Sequence, residues 1–155
     1  MKKKLIIGCC MLMLAAVARA QQAGTVGLGI IAGSPTGMTA KYWLDGTMAI
    51  DGGIGFSDNA VFYGDLLFNS WDLFPKPSKG KLAGYVGFGP RLETASDPQF
   101  GIRTVAGLSY WVQNHPIEFF AEAGPVFRLA PDQDVGADGG LGVRFYFGNG
   151  KSGAR

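Results

Sequence analysis

The chain has 155 residues, of which 17 % are charged, 12 % are aromatic and 25 are glycine. That length makes one domain; low charge with many aromatics excludes disorder, and glycine without a G-X-Y period excludes collagen. No clustered basic patch marks a nucleic-acid binder, and beyond residues 1–20 no apolar run is long enough for a transmembrane helix.

Residues 1–20 read as a secretory signal peptide. Lys2, Lys3 and Lys4 supply a positive start, Leu5 to Val17 an apolar stretch, and Ala18-Arg19-Ala20 a small-x-small cleavage site. A lipoprotein signal around Ile6-Ile7-Gly8-Cys9 fits poorly, because the long apolar stretch would follow the modified cysteine rather than precede it. Cleavage removes Lys2, Lys3, Lys4 and Arg19, leaving 10 basic against 12 acidic residues, so net +2 becomes net −2. Cys9 and Cys10 leave with it. A small exported domain without disulfides needs another source of stability, and a closed barrel is one. The expected organisation is therefore signal peptide 1–20, barrel 21–147 and a short polar tail 148–155.

From residue 21 onward, period-2 alternation is broken by turn chemistry. It predicts eight strands, at about 24–33, 37–44, 47–56, 60–71, 81–93, 100–112, 117–129 and 139–147. The breaks are Ser34-Pro35-Thr36, Asp45-Gly46, Ser57-Asp58-Asn59, Pro75 to Gly80, Asp97-Pro98, Asn114-His115-Pro116 and Asp132 to Asp138.

One alternating set is apolar and carries no charge, as in Val26, Leu28, Ile30 or Leu141, Val143, Phe145, Phe147. The opposite set holds Lys41, Arg91, Arg103, Arg128 and Arg144 against Asp51, Asp65, Glu93, Glu118 and Glu122, with many glycines between them. Two eight-stranded barrels fit. A soluble lipocalin-like carrier would turn the apolar set inward, with Tyr42, Phe62, Phe88, Phe119 and Phe145 around an apolar ligand. A membrane barrel would turn that set to lipid and pair the charges in a narrow lumen.

The second arrangement fits better. The charged face has one in-strand lysine and eleven glycines, which suits a crowded lumen and not a water-facing surface. Balanced charge suits an interior where each ion needs a partner. Trp43, Trp71 and Trp111 close even-numbered strands and Tyr146 and Phe147 end the last, which predicts an aromatic belt at one membrane interface. Phe56, Phe62, Tyr63, Phe100 and Phe127 fall near the other rim.

The last strand, Gly140-Leu141-Gly142-Val143-Arg144-Phe145-Tyr146-Phe147, resembles the C-terminal signal read by the outer-membrane barrel assembly machinery, through Gly142, Phe145 and Phe147. It departs from that signal at Gly140, where a polar residue is usual, and in the eight residues from Gly148 to Arg155 that follow. The chain from residue 21 onward resembles the small eight-stranded bacterial outer-membrane barrels of the outer membrane protein X and A type. Gly27-Leu28-Gly29 and the run from Pro35 to Leu44 also look like a poorly characterised bacterial family of such barrels.

The resemblance implies an integral outer-membrane β-barrel, all-β, antiparallel and up-and-down, with no catalytic role, cofactor or metal. Its partners would be outer-membrane lipid, lipopolysaccharide and, during biogenesis, the assembly machinery; nucleic acid is not among them, and the barrel would be a monomer. The charged set Lys41, Asp51, Asp65, Arg91, Glu93, Arg103, Glu118, Glu122, Arg128 and Arg144 would fill the lumen. Its plain role is bracing; the sharper one is a narrow pore gated by partner exchange.

An adhesin-like surface binder is disfavoured by short external loops at 34–36, 57–59, 94–99 and 130–138. The acidic run Asp132-Gln133-Asp134 with Asp138 lacks the regular ligand spacing of a calcium loop. Lipid A deacylases share the barrel size but place a serine two residues after the catalytic histidine; here His115 is followed by Pro116 and Ile117. Ser109 lies on the polar face while His115 sits in a turn, and no hydrogen-bond geometry for a triad is evident.

Overall fold

The turn signals and alternation resolve into eight strands in a computed structural model that describes residues 23–56 and 58–148. They are β1 (Val26–Ser34), β2 (Thr36–Trp43), β3 (Met48–Phe56), β4 (Ala60–Ser70), β5 (Lys81–Thr94), β6 (Gln99–Trp111), β7 (Ile117–Ala130) and β8 (Asp134–Phe147). The expected signal peptide, and the tail beyond Gly148, lie outside the described residues. The main departure from expectation is β8, which begins at Asp134 and not near 139. The acidic segment expected as a loop is mostly strand, because β7 and β8 pair all the way from Ile117↔Phe145 to Arg128↔Asp134.

Each strand pairs antiparallel with the next, and β8 returns to β1 through Val26↔Phe147 to Ser34↔Gly139, closing the barrel. Closure leaves no unpaired strand edge, a requirement in lipid, where no water can satisfy a free backbone group. The turns at the end where β1 begins and β8 finishes (the terminal end) span 44–47, 71–80 and 112–116. In the first, Asp45 Oδ1 accepts hydrogen bonds from the Thr47 and Met48 amides at 2.7 Å each and from the Thr47 hydroxyl at 2.9 Å.

The pleat then sorts the side chains. Leu28, Ile30, Met38 and Leu141 face outward with 52–72 % of their surface exposed. Lys41, Asp51, Asp65, Arg103, Glu118 and Arg144 face inward and are buried. This reverses a soluble barrel and removes the lipocalin-like alternative. Tyr42, Phe62, Phe88 and Phe119 lie on the exposed exterior, not around an internal ligand space.

The glycines of the inner face have a steric reason. Tyr146 pairs with Gly27, Tyr63 with Gly53, Tyr85 with Gly107 and Phe120 with Gly142 across neighbouring strands. In each pair the ring fills the place of the side chain that glycine lacks; a Cβ on Gly27 or Gly53 would come within 2.6 Å of the tyrosine. Large rings and charged heads fit together in the small lumen because their cross-strand neighbours carry no side chain.

Candidate functional site

The lumen charges gather around two arginines. Arg144 on β8 reaches Asp51 Oδ2 on β3 at 2.6 Å, Glu118 Oε2 on β7 at 3.3 Å and the Thr39 hydroxyl on β2 at 2.9 Å. Lys41 Nζ donates to the other Glu118 oxygen at 3.1 Å and to Asn69 at 3.4 Å, and the Tyr146 hydroxyl donates to Glu118 at 2.6 Å. Three donors therefore converge on one carboxylate. The Phe120 ring lies 3.8 Å from the Arg144 guanidinium carbon and covers it as a cation–π partner.

Arg103 on β6 forms the second centre. Its Nε donates to Asp65 at 2.9 Å, its Nη2 bonds Glu122, and its Nη1 reaches Asp138 at 3.4 Å. Tyr85 donates to the second Glu122 oxygen at 2.8 Å, and Tyr63 stacks 4.2 Å from the guanidinium carbon. Asp138 is shared with Arg91, whose Nε lies 2.9 Å away and whose Nη1 bonds Glu93 at 2.9 Å. Burying so many charges is tolerable only when each head group is paired and hydrogen-bonded.

The structure brings nine of the ten expected charged residues into these two groups. Arg128 stands apart, half-buried near the opposite end, where it bonds Asp134 at 2.8 Å. Asp138 falls in the segment 132–138, whose composition predicts a loop, and so stands outside the expected lumen set. The signal was present, since Asp138, Gly140, Gly142 and Arg144 share one alternating face. With Asp138 included, four buried cations, Lys41, Arg91, Arg103 and Arg144, meet five buried carboxylates, Asp51, Asp65, Glu118, Glu122 and Asp138.

The aromatic belt expected at Trp43, Trp71, Trp111, Tyr146 and Phe147 needs correction. Trp43, Trp111 and Tyr146 are buried inside the barrel, Trp71 is half-buried in the turn after β4 and stacks on Trp43 at 6.0 Å, and Phe147 faces out. Trp43 lies two residues from Lys41, Trp111 two from Ser109 and Tyr146 two from Arg144, so the pleat turns all three inward with the polar set. The rings form an internal cluster at the terminal end, with Trp111 and Tyr146 centroids 4.5 Å apart and Lys41 4.5 Å from Trp43. Tyr63, expected near the other rim, likewise turns inward, beside Arg103.

His115 is exposed in the β6–β7 turn while Ser109 is buried in the lumen, so the two are not placed as a catalytic pair. Asp138 faces the lumen and is not part of an acidic loop; among the described residues no cluster of His, Cys, Asp and Glu could hold a metal ion. Gly142, Phe145 and Phe147 lie on the strand that closes the barrel against β1, with the two phenylalanine rings 4.8 Å apart.

An apolar exterior, a charged interior and eight closed antiparallel strands define the fold of a small outer-membrane barrel. The structure is similar to the N-terminal β-barrel domain of Pseudomonas aeruginosa OprF. The TM-score is 0.60 at 19 % identity, covering 82 % of this chain and all of that domain. No protein-family model and no curated protein matches the sequence.

Proposed function

We propose that the chain is exported through a signal peptide at 1–20 and resides in the bacterial outer membrane as a non-enzymatic barrel of structural role, closed to free passage. The observation that carries this reading is that Arg144 on β8 and its cross-strand neighbour Glu118 on β7 meet Asp51 on β3 and Lys41 on β2 across the lumen. The aromatic cluster at the terminal end adds a second obstruction. In this reading Gly142, Phe145 and Phe147 serve recognition by the assembly machinery, and the outward aromatics Tyr42, Tyr110 and Phe147 mark the interface at that end.

Short connections support a structural role over surface binding. A single residue, Pro35, joins β1 to β2, and residues 131–133 join β7 to β8. Shared acceptors favour one further reading, a gated path. Glu118 serves Lys41, Arg144 and Tyr146, and Asp138 serves Arg91 and Arg103, so partners can exchange without stranding a charge.

Fractionation with unboiled and boiled gel mobility tests the principal reading. A urea-resistant outer-membrane fraction whose mobility shifts on boiling supports it, and a soluble periplasmic monomer overturns it. Planar-bilayer recordings separate the closed from the gated barrel: the closed barrel passes no current, whereas a gated one gives steps that change when Arg103 or Glu122 is neutralised.

A further inference from the structure

The longest connection, residues 71–80 between β4 and β5, is fastened at both ends. Trp71 Nε1 donates to the Gly46 carbonyl at 2.8 Å, and the Tyr110 hydroxyl donates to the Lys79 carbonyl at 3.3 Å. Between these points the loop turns outward over the apolar exterior. Leu73 lies against Gly84 of β5, close enough that a Cβ there would meet its side chain at 2.5 Å.

Two concavities result. An apolar groove of about 890 Å³ is lined by Leu73, Phe74, Val86, Leu108, Ala121 and Leu141. A more polar pocket of about 560 Å³ is lined by Trp71, Asp72, Lys76, Pro77, Lys81 and Leu82, with Lys76 Nζ 4.0 Å from Asp72 Oδ1. They are neighbours along one strand, because Leu82 belongs to the pocket and Gly84 and Val86 to the groove, successive outward positions of β5.

Charge is sorted in the same way. The loop and its exit carry the exposed lysines Lys76, Lys79 and Lys81, against Asp72 alone. The turns at the opposite end carry Asp58, Asp97 and Asp132 and no lysine. A tryptophan-lined pocket with two lysines against one aspartate, beside an apolar groove on the same strand, matches a molecule with an anionic head and a hydrocarbon tail. Basic residues at a membrane surface attract anionic lipid at roughly 1 kcal/mol each.

We propose that this loop and the outer face of β5 form a binding site for an anionic glycerophospholipid, its phosphate held by Lys76 and Lys81 beside Trp71 and one acyl chain in the groove under Leu73 and Phe74. The site rests on the outer-membrane reading above and deepens it by naming a lipid class and its residues. In an outer-membrane barrel whose strand termini face the periplasm, the leaflet at this end is the phospholipid one.

The test is native mass spectrometry of the folded full-length protein offered equal amounts of phosphatidylglycerol and phosphatidylcholine, with insertion into mixed vesicles checked in parallel. We expect about thirtyfold preferential retention of phosphatidylglycerol, the scale set by two lysines. The double variant Lys76→Gln, Lys81→Gln should bring the preference to about one. The variant Leu73→Ser, Phe74→Ser should lose bound lipid of both kinds, and excess inorganic phosphate should not displace the lipid. Equal retention of the two lipids by an inserted wild-type barrel overturns the site and leaves the outer-membrane reading intact. Failure to insert into any vesicle overturns both.

Discussion

The Tyr85 ring occupies the space that a side chain at its cross-strand partner Gly107 would fill, and its hydroxyl is fixed to Glu122 at 2.8 Å. A residue at 107 therefore collides with a ring that cannot swing away without breaking a buried hydrogen bond. Gly107→Val should cost about 1–3 kcal/mol, the range for overpacking a filled interior. Adding Tyr85→Ala to Gly107→Val should recover part of that loss. Urea unfolding followed by gel mobility in detergent would give both numbers; additive losses would show that the two residues do not interact.

Arg144 and Arg103 each hold several carboxylates in place. Arg144→Met leaves Asp51 and Glu118 buried without their shared cation, and should lower stability by about 3–5 kcal/mol. Arg128→Met, at a half-exposed pair near the rim, should cost about 1 kcal/mol or less. Equal effects of the two substitutions in the same unfolding assay would mean that the lumen pairs are no more buried than the rim pair.

The interior tryptophan cluster predicts a specific pattern of fluorescence quenching. With Trp43 and Trp111 buried in the lumen, single-tryptophan variants retaining either one should be quenched weakly by brominated acyl chains. Strong quenching at both positions would restore an outward belt and contradict the inward pleat at the terminal end.

The β2–β3 turn gives a pH dependence. Amide hydrogen bonds from Thr47 and Met48 hold the exposed Asp45 carboxyl below its ordinary value of 3.8. Its contribution is fully present above that value and is lost as pH falls through the depressed one. Asp45→Ala should lower the urea midpoint at neutral pH, and the difference from wild type should shrink in strong acid. A difference that stays constant with pH would mean that the ionised carboxylate does not brace the turn.

The architecture was legible in the sequence because alternation, turn residues and a charge-free face reinforce one another over most strands. The charged lumen set was legible for the same reason. The departures lie near strand ends, where turn-like or interface-seeking residue types compete with the alternation. Tryptophan and tyrosine favour membrane interfaces, but the two-residue spacing of Trp43, Trp111 and Tyr146 from Lys41, Ser109 and Arg144 places them inside. The composition of 132–138 is loop-like, but the pairing of Asp138 with Gly124 on β7 extends the same ladder. The aromatic–glycine pairs were not legible, since they depend on registers between strands that no single strand reveals.

The most direct test of a lipid-facing apolar exterior is spin labelling at Ile54→Cys, Phe88→Cys and Leu141→Cys in reconstituted vesicles, with collision rates measured for oxygen and for a water-soluble nickel chelate. All three positions lie on the exposed apolar face or beside its aromatic neighbours. A lipid-facing exterior gives high oxygen and low nickel accessibility at every one, the signature of side chains in hydrocarbon. High nickel accessibility at all three, in a barrel shown to be folded, would place that face in water and contradict the membrane barrel.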